Sequence, residues 1–213
     1  MSWFNLKNYG SIDTSKKLKL VLLGDGECGK TSFFNRIFGM NNNDYKFNKR
    51  YIATKDFNIQ IVEFKTNFGN IIIELWDTAG QENDLKHNLR QAYIKGADAA
   101  FIMYDISNRR TKENVFKWLS DLNDVCSNIP VLLLGNKMDL LHKIGPVDSV
   151  KFRKVQLYKI YKSKNINSLL LSIKANKIYE LDDKDMLYSF QMIFQMIYGK
   201  NIIITNVLTK YSK

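Results

Sequence analysis

Short apolar runs alternate with longer amphipathic stretches along the chain, and that alternation predicts a layered α/β fold. The runs LKLVLLG (18–24), FNIQIVEFKT (57–66), IIIELWD (71–77), AAFIMYD (99–105), VLLLGN (131–136) and SLLLSI (168–173) have the length of strands. Several are apolar almost without interruption, as expected of strands covered on both faces by helices. Between them, KTSFFNRIFG, LKHNLRQAYIKG, TKENVFKWLSDLNDVC, SVKFRKVQLYKIYKSK and MLYSFQMIFQMIYG have helical spacing. In the third of these, Val115, Leu119, Leu122 and Cys126 recur at intervals of four, three and four, which makes one apolar helix face.

The join between the second and third strands breaks the alternation, because only TNFGN intervenes. Gly69 at a turn position predicts a hairpin, so this pair should run antiparallel. The expected architecture is a six-stranded, mostly parallel sheet with one antiparallel strand and helices on both faces. No stretch rich in Pro, Gly or Ser marks a second domain. The reading divides the chain into an N-terminal arm (1–17), a main domain (18–200) and a short basic C-terminal extension (201–213).

Composition changes this picture only at its margins. The 213 residues are 45% hydrophobic and 25% charged, which is ordinary for a globular domain. No apolar run approaches the ~20 residues that span a bilayer, and MSWFNLKNYG lacks a signal-peptide pattern, so a cytosolic-type protein is expected. Two cysteines, Cys28 and Cys126, provide no disulfide framework and fit a reducing compartment. The net charge of +11 invites an acidic partner without choosing one. Much of it lies in SVKFRKVQLYKIYKSK, with Lys151, Arg153, Lys154, Lys159, Lys162 and Lys164. That run reads first as a solvated helix face and second as a docking surface for an acidic protein. It lacks the aromatic-and-basic platform of single-strand binders, so nucleic acid is not an expected partner.

The candidate chemistry begins at GDGECGKT, which fits G-x-x-x-x-G-K-[ST] between a strand and a helix. Gly24, Asp25, Gly26, Glu27, Cys28, Gly29, Lys30, Thr31 and Ser32 would wrap a polyphosphate with inward-pointing backbone N–H groups at a helix N-terminus. Lys30 would reach the β- and γ-phosphates, and Thr31 would offer a hydroxyl to Mg²⁺. In WDTAGQE (76–82), Asp77 at a strand end would hold the metal's water shell, and the N–H of Gly80 would meet a γ-phosphate. NKMD (136–139) follows the fifth strand and is similar to a guanine-reading motif. There Asp139 would pair with guanine N1–H and the 2-amino group, a donor pair that adenine lacks. Together the three segments point to GTP or GDP with Mg²⁺. Trp76 and Trp118 read as core residues, and Cys28 first as a small filler and second as a thiol whose pKa is lowered by a helix N-terminus.

The order GDGECGKT, a switch threonine in KRYIAT (49–54), DTAGQE, NKMD and a final S-x-K resembles the Ras-like small GTPases over about residues 18–200. Within them the chain is most similar to the Ran type of nuclear-transport GTPase. That finer likeness rests on KRYIAT, on KTNFGN (65–70) and on NVFKWLSDLNDVCSNIPVLLLGNKMD (114–139), with FRK (152–154) beyond them. The resemblance implies slow, Mg²⁺-dependent GTP hydrolysis, with Thr54 closing on the metal and Gln81 orienting the attacking water. It also implies a base pocket of Asn136, Lys137 and Asp139, completed by Ser172, Ile173 and Lys174, with Phe47 near the base edge. The implied partners are an exchange factor, a GTPase-activating protein and importin-type receptors, acting on a monomer in nucleus and cytoplasm. Another Ras-like switch, in membrane traffic without a lipid anchor, and a non-hydrolysing scaffold or decoy for transport receptors are the alternatives.

Four features depart from the Ran pattern. Glu27 replaces a small residue, and its charge would repel the β-phosphate and so weaken affinity or speed nucleotide release, the alternative being a solvated loop glutamate with little effect. Extra residues around MNNND lengthen the first switch, and NDLKHN after DTAGQE lacks the aromatic that an import carrier grips. The sequence ends NVLTKYSK with nothing acidic after Asp185 and no cysteine for prenylation. Regulation by an acidic tail is therefore not expected.

Overall fold

The computed structural model describes residues 16–39, 54, 57–78, 80, 87–143, 167–170 and 182–210. The strands are β1 (Lys17–Leu23), β2 (Phe57–Thr66), β3 (Gly69–Thr78), β4 (Ala99–Asp105), β5 (Val131–Asn136), β6 (Asn167–Leu170) and β7 (Ile204–Lys210). The helices are α1 (Lys30–Gly39), α2 (His87–Ile94), α3 (Arg109–Glu113), α4 (Val115–Val125) and α5 (Asp182–Tyr198), with a 3₁₀ turn at Met138–Lys143. The predicted pattern in 111–126 is divided between α3 and α4. Asn114 joins them, still in αR conformation, and its backbone N–H donates to the Arg110 carbonyl at 3.0 Å. The predicted helix in 149–164 lies outside the described residues.

The strands form one sheet in the order β6-β5-β4-β1-β3-β2-β7. β1 pairs in parallel with both β3 and β4, and β5 in parallel with β4 and β6. β2 runs antiparallel to β3 through the two-residue turn Asn67–Phe68, where Gly69 has φ 109°. The six expected strands are joined by a seventh from the segment read as a basic extension. β7 lies antiparallel to β2, so β2 is the one reversed strand among those described. Asn67 ties the hairpin to this segment, donating to the Asn201 carbonyl at 3.1 Å and accepting from the Ile203 N–H at 2.8 Å.

Period-two alternation builds two cores from the same strands. Leu18, Leu20 and Leu22 of β1 face the side covered by α1 and α5, whereas Val21 and Leu23 face the side covered by α2 and α4. β4 divides likewise into Ala99, Phe101 and Met103 against Ala100, Ile102 and Tyr104. The face anticipated on α4 is the one it buries: Val115, Leu119, Leu122 and Cys126 all belong to the second core.

Chain order reverses at β1, since β3 lies on one side of it and β4 on the other. Such a switch point leaves a crevice beyond the carboxyl ends of the central strands, where ligands of open α/β sheets bind.

Candidate functional site

The segment from Gly24 to Gly29 leaves β1 at that switch point. Gly24 (φ 134°), Glu27 (φ 63°) and Gly29 (φ 98°) give it repeated left-handed turns, a backbone suited to cradling an anion. A Cβ on Gly24 would stand 2.1 Å from the Met103 carbonyl oxygen, so only glycine fits there. Glu27 is exposed and adopts a left-handed conformation that costs a non-glycine residue about 1–2 kcal/mol. The Phe33 N–H then bonds the Gly29 carbonyl at 2.9 Å as α1 begins.

Lys30 is buried, and its ammonium donates to the carbonyls of Gly24 (2.7 Å) and Asp25 (2.8 Å). Gly80 passes directly over this arrangement. A Cβ on Gly80 would meet Lys30 Nζ at 2.4 Å and the Gly26 nitrogen at 2.6 Å. The DTAG segment and the loop are thus in contact at a spot that tolerates no side chain.

Three oxygen donors from separate segments meet beside Lys30. Thr31 Oγ1 donates to Asp77 Oδ2 at 2.8 Å and lies 2.9 Å from Thr54 Oγ1. Asp77 is fully buried, and its Oδ1 has no hydrogen-bond partner. Burial pushes the Asp77 carboxyl above its usual range, opposed by the Thr31 hydroxyl and the Lys30 ammonium. Two hydroxyls and a carboxylate with a buried, unpartnered oxygen form the hard oxygen set that suits Mg²⁺.

The NKMD segment is anchored to the same loop. Asn136 Nδ2 donates to the Cys28 carbonyl at 2.9 Å, and Lys137, itself left-handed at φ 67°, pairs with Asp105 at 2.7 Å. Asp105 also accepts from the backbone and hydroxyl of Ser107. Asp139 is half-buried in the 3₁₀ turn that follows. The structure therefore brings together the loop residues, Thr54, Asp77, Gly80, Asn136 and Lys137, with Asp139 two residues along. Phe47, Gln81, Ser172, Ile173 and Lys174 lie outside the described residues.

Two readings of single residues are corrected, and a third is borne out with an addition. Cys28 is the buried filler of the first reading, and burial raises its thiol pKa despite the nearby Lys30, which overturns the second reading of a lowered pKa. Trp76 is only half-buried, with Phe57 stacked on it at 5.2 Å and Lys19 Nζ 3.9 Å from its ring centroid. Trp118 is core at 1% exposure, yet its indole N–H donates to Asp25 Oδ1 at 2.7 Å. Asn114 Nδ2 donates to Asp25 Oδ2, also at 2.7 Å. The signal for this contact was present in N-V-x-x-W, whose first and last residues stand four apart on one helix face.

A family model described as Ras family matches residues 19–183, well over half of the chain. The chain belongs to the Ras family. It is a small GTP-binding switch by that membership, and Ras-family proteins generally bind GTP or GDP with Mg²⁺ and work with exchange factors and activating proteins.

Proposed function

We propose that this Ras-family chain is a Ran-like switch of nucleocytoplasmic transport that binds GDP and GTP with Mg²⁺ and hydrolyses GTP slowly. The observation that carries the nucleotide part is the meeting of Thr31, Thr54 and Asp77, with Asp77 Oδ1 buried and unpartnered. Mg²⁺ held there supplies charge neutralisation for the β- and γ-phosphate oxygens. The backbone from Gly24 to Ser32 binds the phosphates through its N–H groups, and Lys30, located by its two carbonyl partners, turns its remaining N–H to the phosphate oxygens. The Gly80 N–H meets the terminal phosphate. Gln81 orients the water whose oxygen bonds to the γ-phosphorus as the bond to the β-phosphate oxygen breaks.

Asn136, Lys137 and Asp139 read guanine, with Ser172, Ile173, Lys174 and Phe47 completing the pocket. Because Glu27 is exposed, its charge acts on the phosphates mainly through solvent, where it is weakened. Thr54 belongs to the switch segment, so loss of the γ-phosphate removes one of its ties and releases that segment.

The transport role is supported by KRYIAT, KTNFGN and the 114–139 segment of the sequence. In this role the monomer shuttles between nucleus and cytoplasm and binds importin-type receptors in the GTP state. Among the described residues no helix is long and apolar enough to cross a membrane. The test is capture of partners by the protein loaded separately with GDP and with a non-hydrolysable GTP analogue. Enrichment of importin-type receptors with the analogue alone is the expected outcome. The same partners with both nucleotides would sink the switch, and GTP-dependent capture of vesicle-tethering proteins instead would sink the transport role.

A further inference from the structure

Asp25 places a carboxylate inside a loop built to hold phosphate, and it is 4% exposed. Both of its oxygens are engaged by α4 and the residue before it, Oδ1 by Trp118 Nε1 and Oδ2 by Asn114 Nδ2, each at 2.7 Å. The backbone of the same residue faces a different task. Its carbonyl accepts from Lys30 Nζ at 2.8 Å and from Cys28 Sγ at 3.0 Å. One residue therefore links a helix on the second face of the sheet to the loop's lysine.

The donors are set on rigid ground. Trp118 is packed in the core with Val115, Leu119 and Leu122, which fixes where its N–H points. Asn114 is held by its own backbone, accepting from the Trp118 N–H at 3.1 Å and donating to Arg110. A carboxylate with two such donors costs more to release than one turned to water, because its charge would remain buried without partners.

We propose that Asn114 and Trp118 are positioning residues for the phosphate loop, and that their grip on Asp25 sets how long nucleotide is retained. The grip acts in two ways. It fixes the Asp25 carbonyl that locates Lys30, and it holds a negative charge on α4 instead of leaving it free among the phosphates. This rests on the nucleotide-binding reading above.

The experiment follows release of a fluorescent GDP analogue from the full chain with Mg²⁺, for Trp118→Phe and Asn114→Ala, each in the natural and the Asp25→Ala backgrounds. In the natural background each change should speed release on the order of ten-fold, as loss of a buried charge-assisted hydrogen bond predicts. With Asp25→Ala already present, the same changes should alter release by less than about two-fold, because the partner they act through is gone. Leu122→Val thins the core one turn further along α4 and should lower the melting temperature without speeding release. Asn114→Ala removes only a half-buried amide, so it carries the test if Trp118→Phe fails to fold. Unchanged release in both variants, additive effects with Asp25→Ala, or equally fast release from Leu122→Val would each overturn the clamp. A wild-type chain that binds no fluorescent GDP would overturn the nucleotide reading itself, whereas normal wild-type binding with unaffected variants overturns the clamp alone.

Discussion

The two faces of the sheet are built from alternate residues of the same strands, yet they are closed in different ways. On the face covered by α1 and α5, aromatic rings interlock. Phe33 lies 5.7 Å from Phe101 and 5.6 Å from Phe190, and Phe64 lies 4.8 Å from Phe190 and 5.1 Å from Phe194. Phenylalanine has no polar atom, so these rings stabilise the fold and make no polar contact with the site, although the same core also takes in Cys28 and the apolar face of α1. On the face covered by α2 and α4 the largest buried side chain is Trp118, whose ring packs with aliphatics while its N–H reaches the phosphate loop. Indole offers apolar area and one donor, and the second face uses both. The ring cluster around Phe190 is separable from the site, whereas Trp118 joins packing and site in one side chain.

The largest effect that tests this contrast is on the aromatic side. Phe190 is fully buried and touches Phe33, Phe64, Phe101 and Phe194. Phe190→Ala should cost about 3–5 kcal/mol of unfolding free energy in urea titrations, from lost transfer energy plus the cavity left behind. Nucleotide release from the protein that remains folded should match wild type. Release that quickens in proportion to the stability lost would show that the first face also controls the loop, and the contrast would be broken.

How far the sequence foretold this arrangement differs between the faces for a physical reason. Uninterrupted runs such as AAFIMYD and VLLLGN were enough to place β4 and β5, because burial on both sides leaves no room for polar positions. Glycine and threonine patterns likewise marked Gly24, Lys30, Thr31 and Asp77, since their chemistry is tied to residue type at fixed spacing. Trp118 was legible as core but not as a donor. Hydrophobic periodicity places the ring and says nothing about where its one polar atom points, and Asp25 lies 93 residues away. β7 was missed for a related reason. Among the described side chains of ITNVLTK, Val207 is buried and Ile204 half-buried, and a strand held largely by its backbone ladder at a sheet edge leaves a faint apolar pattern. The divided helix at Asn114 was hidden because its αR backbone continues the helical register.

A smaller effect sharpens the comparison from the loop's other tether. Asn136 is buried at the end of β5 and donates to the Cys28 carbonyl, so the loop is held from the NKMD segment as well as from α4. Asn136→Ala should cost about 1 kcal/mol of stability, the usual net worth of one such bond. It should also weaken guanine nucleotide binding when competition against fluorescent GDP is measured. If combining Asn136→Ala with Trp118→Phe speeds release by the product of the single effects, the two tethers act independently. A combined effect smaller than that product would mean that they hold one rigid unit.

The smallest effect comes from Lys112 in α3, two residues before the clamp's Asn114. Its side chain is buried, and that burial lowers the ammonium pKa from 10.5 to about 8. A lysine with a lowered pKa binds its proton less tightly folded than unfolded. Below pH about 8 both states are protonated, and the folded chain carries the cost of a partly desolvated charge. Between about 8 and 10.5 the folded state gives up its proton first, so stability rises with pH across that window. Replacing Lys112 by Met keeps the apolar stem and removes the charge. Lys112→Met should therefore melt higher than wild type at neutral pH, with the gap narrowing as pH rises towards 10.5. The gain should stay below the Asn136→Ala loss, because a long stem lets the ammonium reach towards water. Melting curves at neutral pH and near the upper end of the window measure it directly. A gap that widens with pH would mean that the contacts of Lys112 favour its charge by more than burial costs it. The second face would then contain a second polar tether beside Asn114 and Trp118.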